Sequence, residues 1–219
     1  GFVGGGNGSF SVFSEKDLYT VSLNTVSDPK RVTKEESILH ATDFTRTQSK
    51  VFLTNASSVL EVSNANSASP VIESFKTEDP AGWVIGSDME SYLRYLYILS
   101  PEKKQIYKYE HLSGRYGPAS EYNVSGDLTG ALDMTIAGPV YVLKDTSSVT
   151  GKAGDRDVVK LLRGEKQTFS IRNMPPQALL NTTKIVKGQN GNFYFLDPKG
   201  KRIIVTTNDG DIGDSLYLK

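Results

Sequence analysis

The chain has 219 residues and no cysteine, and its 25 Lys+Arg balance its 25 Asp+Glu to a formal charge of zero. Disulfides and thiolate chemistry are excluded. The interspersed charges give no basic stripe of the kind a nucleic-acid partner needs, and Lys199-Gly200-Lys201-Arg202, the densest basic stretch, is too short for a phosphate track. No apolar run approaches the roughly 18 residues of a membrane-spanning helix, and the longest, Tyr95-Leu96-Tyr97-Ile98-Leu99, is strand-sized.

In chain order, the first segment is glycine-rich. Gly1-Phe2-Val3-Gly4-Gly5-Gly6 has neither the basic leader nor the apolar core of a signal peptide. Gly4-Gly5-Gly6-Asn7-Gly8-Ser9 lacks the Lys-Ser/Thr of a phosphate loop and reads as a flexible terminus or linker. Phe10–Phe13 is then predicted as an inner strand, followed by a strand anchored at Tyr19. A second group comprises Ala41–Thr45, the anchor Phe52-Leu53-Thr54-Asn55 and an outer strand Val71–Phe75. The third has Trp83–Met89, the anchor at Tyr97 and an outer strand Ala119–Asn123. Leu132–Ile136, the anchor at Tyr141 and Thr168–Arg172 form the fourth, with a polar insertion from Thr146 to Asp157. The fifth holds Thr183–Lys187 and the anchor at Tyr194. Half-buried strands show as alternation in Gln105-Ile106-Tyr107-Lys108-Tyr109 and Gln167-Thr168-Phe169-Ser170-Ile171-Arg172. Turn chemistry separates them at Ser113-Gly114, Asn190-Gly191, Asp197-Pro198 and Asp209-Gly210. No helical stripe of useful length appears, Glu35 to His40 being the nearest approach.

These groups are copies of one unit. In Tyr97-Ile98-Leu99-Ser100-Pro101 through Ile106, and in Tyr194-Phe195-Leu196-Asp197-Pro198 through Ile203, the turn proline falls four residues after the tyrosine and the restarting isoleucine nine. The five anchors are 33, 45, 44 and 53 residues apart, the widest gap containing the insertion. Periods of about 40–50 residues, each with four short strands, are those of propeller blades. The predicted fold is therefore all-β, a β-propeller of about five four-stranded blades near residues 1–40, 41–80, 81–126, 127–175 and 176–219, forming one domain. A piece of a larger propeller would show the same repeats. Ser215-Leu216-Tyr217-Leu218 is expected to pair with the N-terminal blade, because ring closure removes free edges.

The phrases Leu96-Tyr97-Ile98-Leu99-Ser100-Pro101, Gln105-Ile106-Tyr107-Lys108-Tyr109-Glu110 and Phe195-Leu196-Asp197-Pro198 resemble NHL-like propeller repeats. More narrowly, residues 95–205, including Asp127-Leu128-Thr129-Gly130-Ala131-Leu132-Asp133 and Leu161-Leu162-Arg163-Gly164-Glu165-Lys166-Gln167, resemble the propeller region of membrane-tethered PPM-type phosphatase-like proteins of candidate-phylum bacteria. The resemblance implies a non-catalytic propeller displayed outside the cytoplasm or tethered through a segment outside this chain. It carries over no catalytic residue.

Several residues invite a chemical role. Asp43, Asp88 and Asp133 lie 9, 9 and 8 residues before their anchors. A propeller glycosidase would set two carboxyls about 5–9.5 Å apart. An Asp at the same place in each repeat instead reads as a repeat feature, bonding a neighbouring blade's backbone. His40 and His111 are the only histidines and form no zinc motif. Asp155-Arg156-Asp157 and Asp209-Gly210-Asp211 offer oxygens to calcium without the spacing of a defined calcium loop. No Gly-x-Ser-x-Gly elbow is present. Trp83, Tyr92, Arg94 and Tyr95 form the densest aromatic-plus-arginine group, the residue types that dominate interface hot spots. The same types also fill blade-to-blade packing. Four Asn-x-Ser/Thr sequons, at Asn7, Asn55, Asn123 and Asn181, are the number a Ser/Thr/Asn-rich chain yields by chance.

The sequence therefore favours a non-catalytic binding or scaffolding module, without cofactor, for a protein, peptide or cell-surface polymer. The recognition residues would be Trp83, Tyr92, Arg94 and Tyr95 together with the Thr146–Asp157 insertion. The alternatives are a calcium-dependent hydrolase or lactonase with an axial site, and a purely structural ectodomain.

Overall fold

A computed structural model describes residues 2–5, 9–13, 17–22, 30–33, 43–46, 50–54, 59–63, 71–84, 86–171, 178–188, 190–207 and 212–217. Among them are five antiparallel sheets. The first contains β1 (Phe2–Gly5), β2 (Ser9–Phe13), β3 (Leu18–Ser22) and β4 (Lys30–Thr33). The second contains β5 (Asp43–Arg46), β6 (Lys50–Thr54), β7 (Val59–Ser63) and β8 (Val71–Phe75). The third is built from β9 (Asp88–Tyr92), β10 (Tyr95–Ser100), β11 (Gln105–Leu112), β12 (Arg115–Tyr116) and β13 (Ser120–Glu121). The fourth is built from β14 (Ala131–Ile136), β15 (Val140–Asp145), β16 (Arg156–Leu162) and β17 (Glu165–Gln167). The fifth has β18 (Lys184–Lys187), β19 (Phe193–Asp197), β20 (Arg202–Thr206) and β21 (Ile212–Tyr217). In four sheets the strands lie side by side in chain order. In the third, β12 and β13 both pair with β11.

The repeated wording has a local cause. Lys104 N–H donates to the Pro101 carbonyl (3.1 Å) and Lys201 N–H to that of Pro198 (3.3 Å). Both lysines take the left-handed conformation, at φ 51° and 50°. Proline presets φ for the start of such a turn, and the left-handed residue at its end returns the chain antiparallel.

The anchors occupy the second strand of their sheets, facing Thr45 (Phe52), Thr135 (Tyr141) and Val186 (Tyr194). The first repeat departs from the expected register. Tyr19 lies on the third strand, β3, and the residue equivalent to the other anchors is Phe10, which pairs with Gly4. Phe10 and Phe52 are 42 residues apart, so the repeat is more regular than the sequence alone suggested. The expected glycine-rich linker is correspondingly in error, because Phe2–Gly5 is the first strand of the first sheet. Glycine carries no side chain to mark strand alternation.

Two further expectations shift. The fourth sheet's outer strand is Glu165–Gln167, and Thr168–Ile171 follows it as irregular chain. Phe169 and Ile171 instead pack on a core cluster, which takes them off the sheet edge. β21 pairs with β20 and so completes the fifth sheet itself, where an N-terminal partner was expected. One short helix, α1 (Ser147–Thr150), sits in the insertion and ends at Gly151 with φ 71°.

The chain divides into two compact units, 1–98 with 108–120 and 99–107 with 121–219. In the first, buried Leu60, Val62, Met89, Leu96, Tyr109 and Tyr116 form much of the core. In the second, Tyr141, Leu143, Val158, Leu179, Ile185, Phe193, Phe195 and Ile204 make a cluster shared by the fourth and fifth sheets. Each such large side chain contributes about 1.5–3 kcal/mol by leaving water. Tyr141 meets Phe193 edge-on at 4.7 Å, the geometry ring quadrupoles favour.

Candidate functional site

The inner-strand carboxylates are the first test of chemistry. Asp133, on β14, is 3 % exposed. Its Oδ2 accepts the Ile185 N–H of β18 (2.7 Å), and its Oδ1 accepts Lys184 Nζ (2.5 Å). Two residues on, Thr135 Oγ1 accepts the Lys187 N–H (3.1 Å). Side chains at alternate positions of one first strand thus serve as acceptors for the outward N–H groups of the next sheet's first strand. Asp133 is in this way committed to a neighbouring backbone. Asp88 is also buried, at the start of β9, and the side chain of Asp43 lies outside what the structure describes. In the other unit Thr45 Oγ1, on β5, donates to Glu90 Oε2 of β9 (3.3 Å), again linking first strands of successive sheets.

Other acids are held in the same manner. Asp145 accepts Ser147 N–H (2.7 Å) and pairs with Arg156 (2.9 Å), and these contacts, Ser147 first, lower its pKa. Asp197 pairs with Arg202 (2.9 Å). Asp127 pairs with the nearly buried Lys144 (2.9 Å), which together with the Thr129 N–H holds its carboxyl well below the usual carboxylate range. Asp157 Oδ1 accepts the Val158 N–H (2.8 Å). Among the described residues no group of three or more His, Cys, Asp or Glu is placed to hold a metal ion. His40 and the acidic turn at 209–211 lie outside those residues.

The aromatic-plus-arginine group is split. Trp83 donates from Nε1 to the Phe75 carbonyl (3.0 Å) and packs on Tyr109 (4.5 Å) and Tyr116 (5.3 Å), inside the first unit. Phe75 and His111 extend this aromatic box. Beside it Glu61 is buried on β7, with Lys50 and Ser63 at Oε1. Its Oε2 lies 3.9 Å from His111 Nε2, and neither atom has a hydrogen-bond partner. Burial, then the Glu61 charge, raises the Tyr116 pKa well above the usual phenol range.

Arg94 and Tyr95 belong together at the surface. Tyr92 ends β9, half-buried, and Leu93-Arg94 form the two-residue turn into Tyr95, the first residue of β10. Arg94 is 67 % exposed, pairs with Glu110 (2.9 Å) and donates to the Tyr95 hydroxyl (3.4 Å). Lys108 Nζ stands 4.5 Å from the centre of the Tyr95 ring. His111 N–H donates to the Arg94 carbonyl (2.8 Å), so the turn is bonded to β11 at its base. Leu93, unmarked by sequence reasoning, is 83 % exposed.

The insertion forms a second, separate prominence. Residues 148–153 are exposed, and the loop is closed below them by Thr146 N–H to Asp155 O (3.0 Å) and Gly154 N–H to Ser147 Oγ (2.9 Å). Asn181 N–H donates to Gly154 O (2.9 Å), and Arg156 Nε to Thr182 O (2.8 Å), tying the loop to the next turn of the chain. The sequon at Asn123 is occupied structurally, since its side-chain amide donates to Gly126 O (2.8 Å) and accepts from Gly126 N–H (2.9 Å).

No family model matches the chain, and no curated protein does. Solved structures do. A streptogramin B lyase is similar over all of this chain and 68 % of its own, at 12 % identity and a TM-score of 0.62. A chain of a nidogen/laminin complex is similar over 97 % of this chain and 76 % of its own, at 11 % identity and a TM-score of 0.64. YCF48 bound to D1 peptide is similar over 99 % and 67 %, at 10 % identity and a TM-score of 0.56. Identities this low bear on architecture alone. These neighbours are β-propeller proteins, and with the repeated antiparallel sheets they identify the fold of this chain as an all-β propeller.

Proposed function

We propose that the chain is a non-catalytic binding or scaffolding propeller module for a protein, peptide or cell-surface polymer. The observation that carries this reading is the commitment of Asp133, which spends both carboxylate oxygens on Lys184 and the Ile185 N–H of the next sheet. A general acid or base needs a free oxygen within reach of substrate. Rigid sheets with ordered, exposed connections are instead what a binding scaffold offers. Recognition is assigned to Leu93, Arg94 and Tyr95, with Tyr92 at their base, and to residues 148–153, while Trp83 is a packing residue against Tyr109. The fold neighbours support the reading only in kind, since they include one complexed with laminin and one bound to a peptide. The repeat wording suggests the setting of the tethered phosphatase-like proteins, in which the module would be displayed outside the cytoplasm. Among the described residues no helix is long and apolar enough to cross a membrane.

The test uses the purified chain on arrays of synthetic peptides and bacterial surface polysaccharides, beside a panel of lactone and ester substrates with calcium. Saturable binding without turnover is expected. Replacing residues 148–153 by a Gly-Ser linker should weaken that binding and leave the fold intact. Calcium-dependent turnover abolished by D133N would overturn the reading.

A further inference from the structure

Thirteen described residues have positive φ. Eight are glycine, and four of the others are the polar residues Lys104, Arg163, Asn181 and Lys201. The remaining one is Leu93, at φ 55°. A left-handed backbone strains any residue with a Cβ, and a two-residue hairpin turn favours Gly, Asn or Asp at such a place. Leu93 therefore carries backbone strain and at the same time presents its whole side chain to water, 83 % exposed. Folding gains nothing from either.

Its surroundings are organised. The turn is pinned to β11 by the His111 N–H bond to the Arg94 carbonyl, so the leucine projects from a fixed base. Arg94 is held alongside by Glu110 and the Tyr95 hydroxyl, and Lys108 covers the Tyr95 ring. Arg94, next to Leu93 in the turn, and Lys108 both lie against Tyr95, and Glu110 is the carboxylate paired with Arg94. The Arg94–Glu110 pair is largely exposed, so Arg94 can exchange Glu110 for an incoming carboxylate at little cost.

We infer that the β9–β10 turn is a docking knob, in which Leu93 inserts into an apolar pocket of a protein partner while Arg94 meets a carboxylate on that pocket's rim. Arginine is among the residue types enriched at interface hot spots, and a side chain already fixed on a bonded turn loses little freedom on binding. This inference rests on the binding-module reading and gives it a site and a partner chemistry. Among the described residues Val149 is the aliphatic side chain next in exposure at 82 %, and it has neither a left-handed backbone nor an arginine beside it.

The experiment uses a synthetic host of the same chemistry. Carboxymethyl-β-cyclodextrin, an apolar cavity with carboxylates at its rim, and neutral β-cyclodextrin are titrated into the labelled chain and followed by amide and methyl NMR. For wild type, saturable shifts should centre on Leu93, Arg94 and Tyr95, and the carboxymethylated host should bind at least about threefold tighter. R94A should keep binding and lose that preference, and L93G should lose the shifts. The melting temperature of L93G should lie within about 2 °C of wild type or above it, because glycine relieves the strain. Shifts centred on Val149, equal affinity for the two hosts, or an L93G variant that melts well below wild type would each overturn the assignment. None of these outcomes bears on the enzyme alternative, which the turnover assay decides separately.

Discussion

Asp133→Ala removes the acceptor that joins the fourth sheet to the fifth. Ile185 is 1 % exposed, so its N–H would be left without water or partner. An unsatisfied buried donor costs about 1–3 kcal/mol. The lost contact with Lys184, whose side chain is half-exposed, adds under about 1 kcal/mol after solvent screening. The expected destabilisation is roughly 3 kcal/mol, or about 6–12 °C in melting temperature for a chain of this size. Urea titration followed by far-UV circular dichroism measures the loss, and hydrogen exchange at the Ile185 amide locates it. D133N keeps an oxygen for that N–H and should recover about half of the stability. K184A should cost under about 1 kcal/mol. A D133A variant within about 2 °C of wild type, with Ile185 still protected, would refute the proposed role of the side-chain-to-backbone link.

Trp83→Ala should cost about 3–5 kcal/mol, the usual consequence of deleting a packed indole, and urea titration of the variant checks this. A variant of unchanged stability would show that Trp83 is available for binding and is not a packing residue. The Asp127 carboxyl is held low in the folded chain, chiefly by Lys144, so its contribution is present above about pH 4 and fades as pH falls further. Melting curves from pH 5 to pH 2.5 should therefore show wild type and D127N converging at the acid end. The Tyr116 hydroxyl is shifted upward by burial and by Glu61, so its contribution holds below about pH 10 and is lost above it. Y116F should soften the alkaline fall in stability, as melting temperatures between pH 8 and 11 would reveal.

What the sequence made legible was local. The turns Pro101–Lys104 and Pro198–Lys201 close within four residues, so proline and the restarting isoleucine marked them. Val71–Phe75 was expected as an outer strand and is β8. β1 was missed because its glycines carry no alternation, and that omission moved the first anchor one strand along, to Tyr19. Thr168–Arg172 alternates like a strand, yet Phe169 turns to Tyr141 and Phe193, a contact set by the fifth sheet and invisible in the local pattern. The same holds for the candidate site. Trp83 and Arg94 are close in sequence, but Trp83 turns inward to Tyr109 while Arg94 sits on an outward turn. Leu93 escaped notice because its singularity is a backbone angle, which composition does not record.

An experimental structure determined from a calcium-containing buffer tests the central claim most directly. The account predicts Asp133 bonded to the Ile185 N–H and Lys184, with no ion at its carboxylate. Calcium bound to Asp133, with the Ile185 bond broken, would contradict the binding-module account and make the carboxylates the place to look for chemistry.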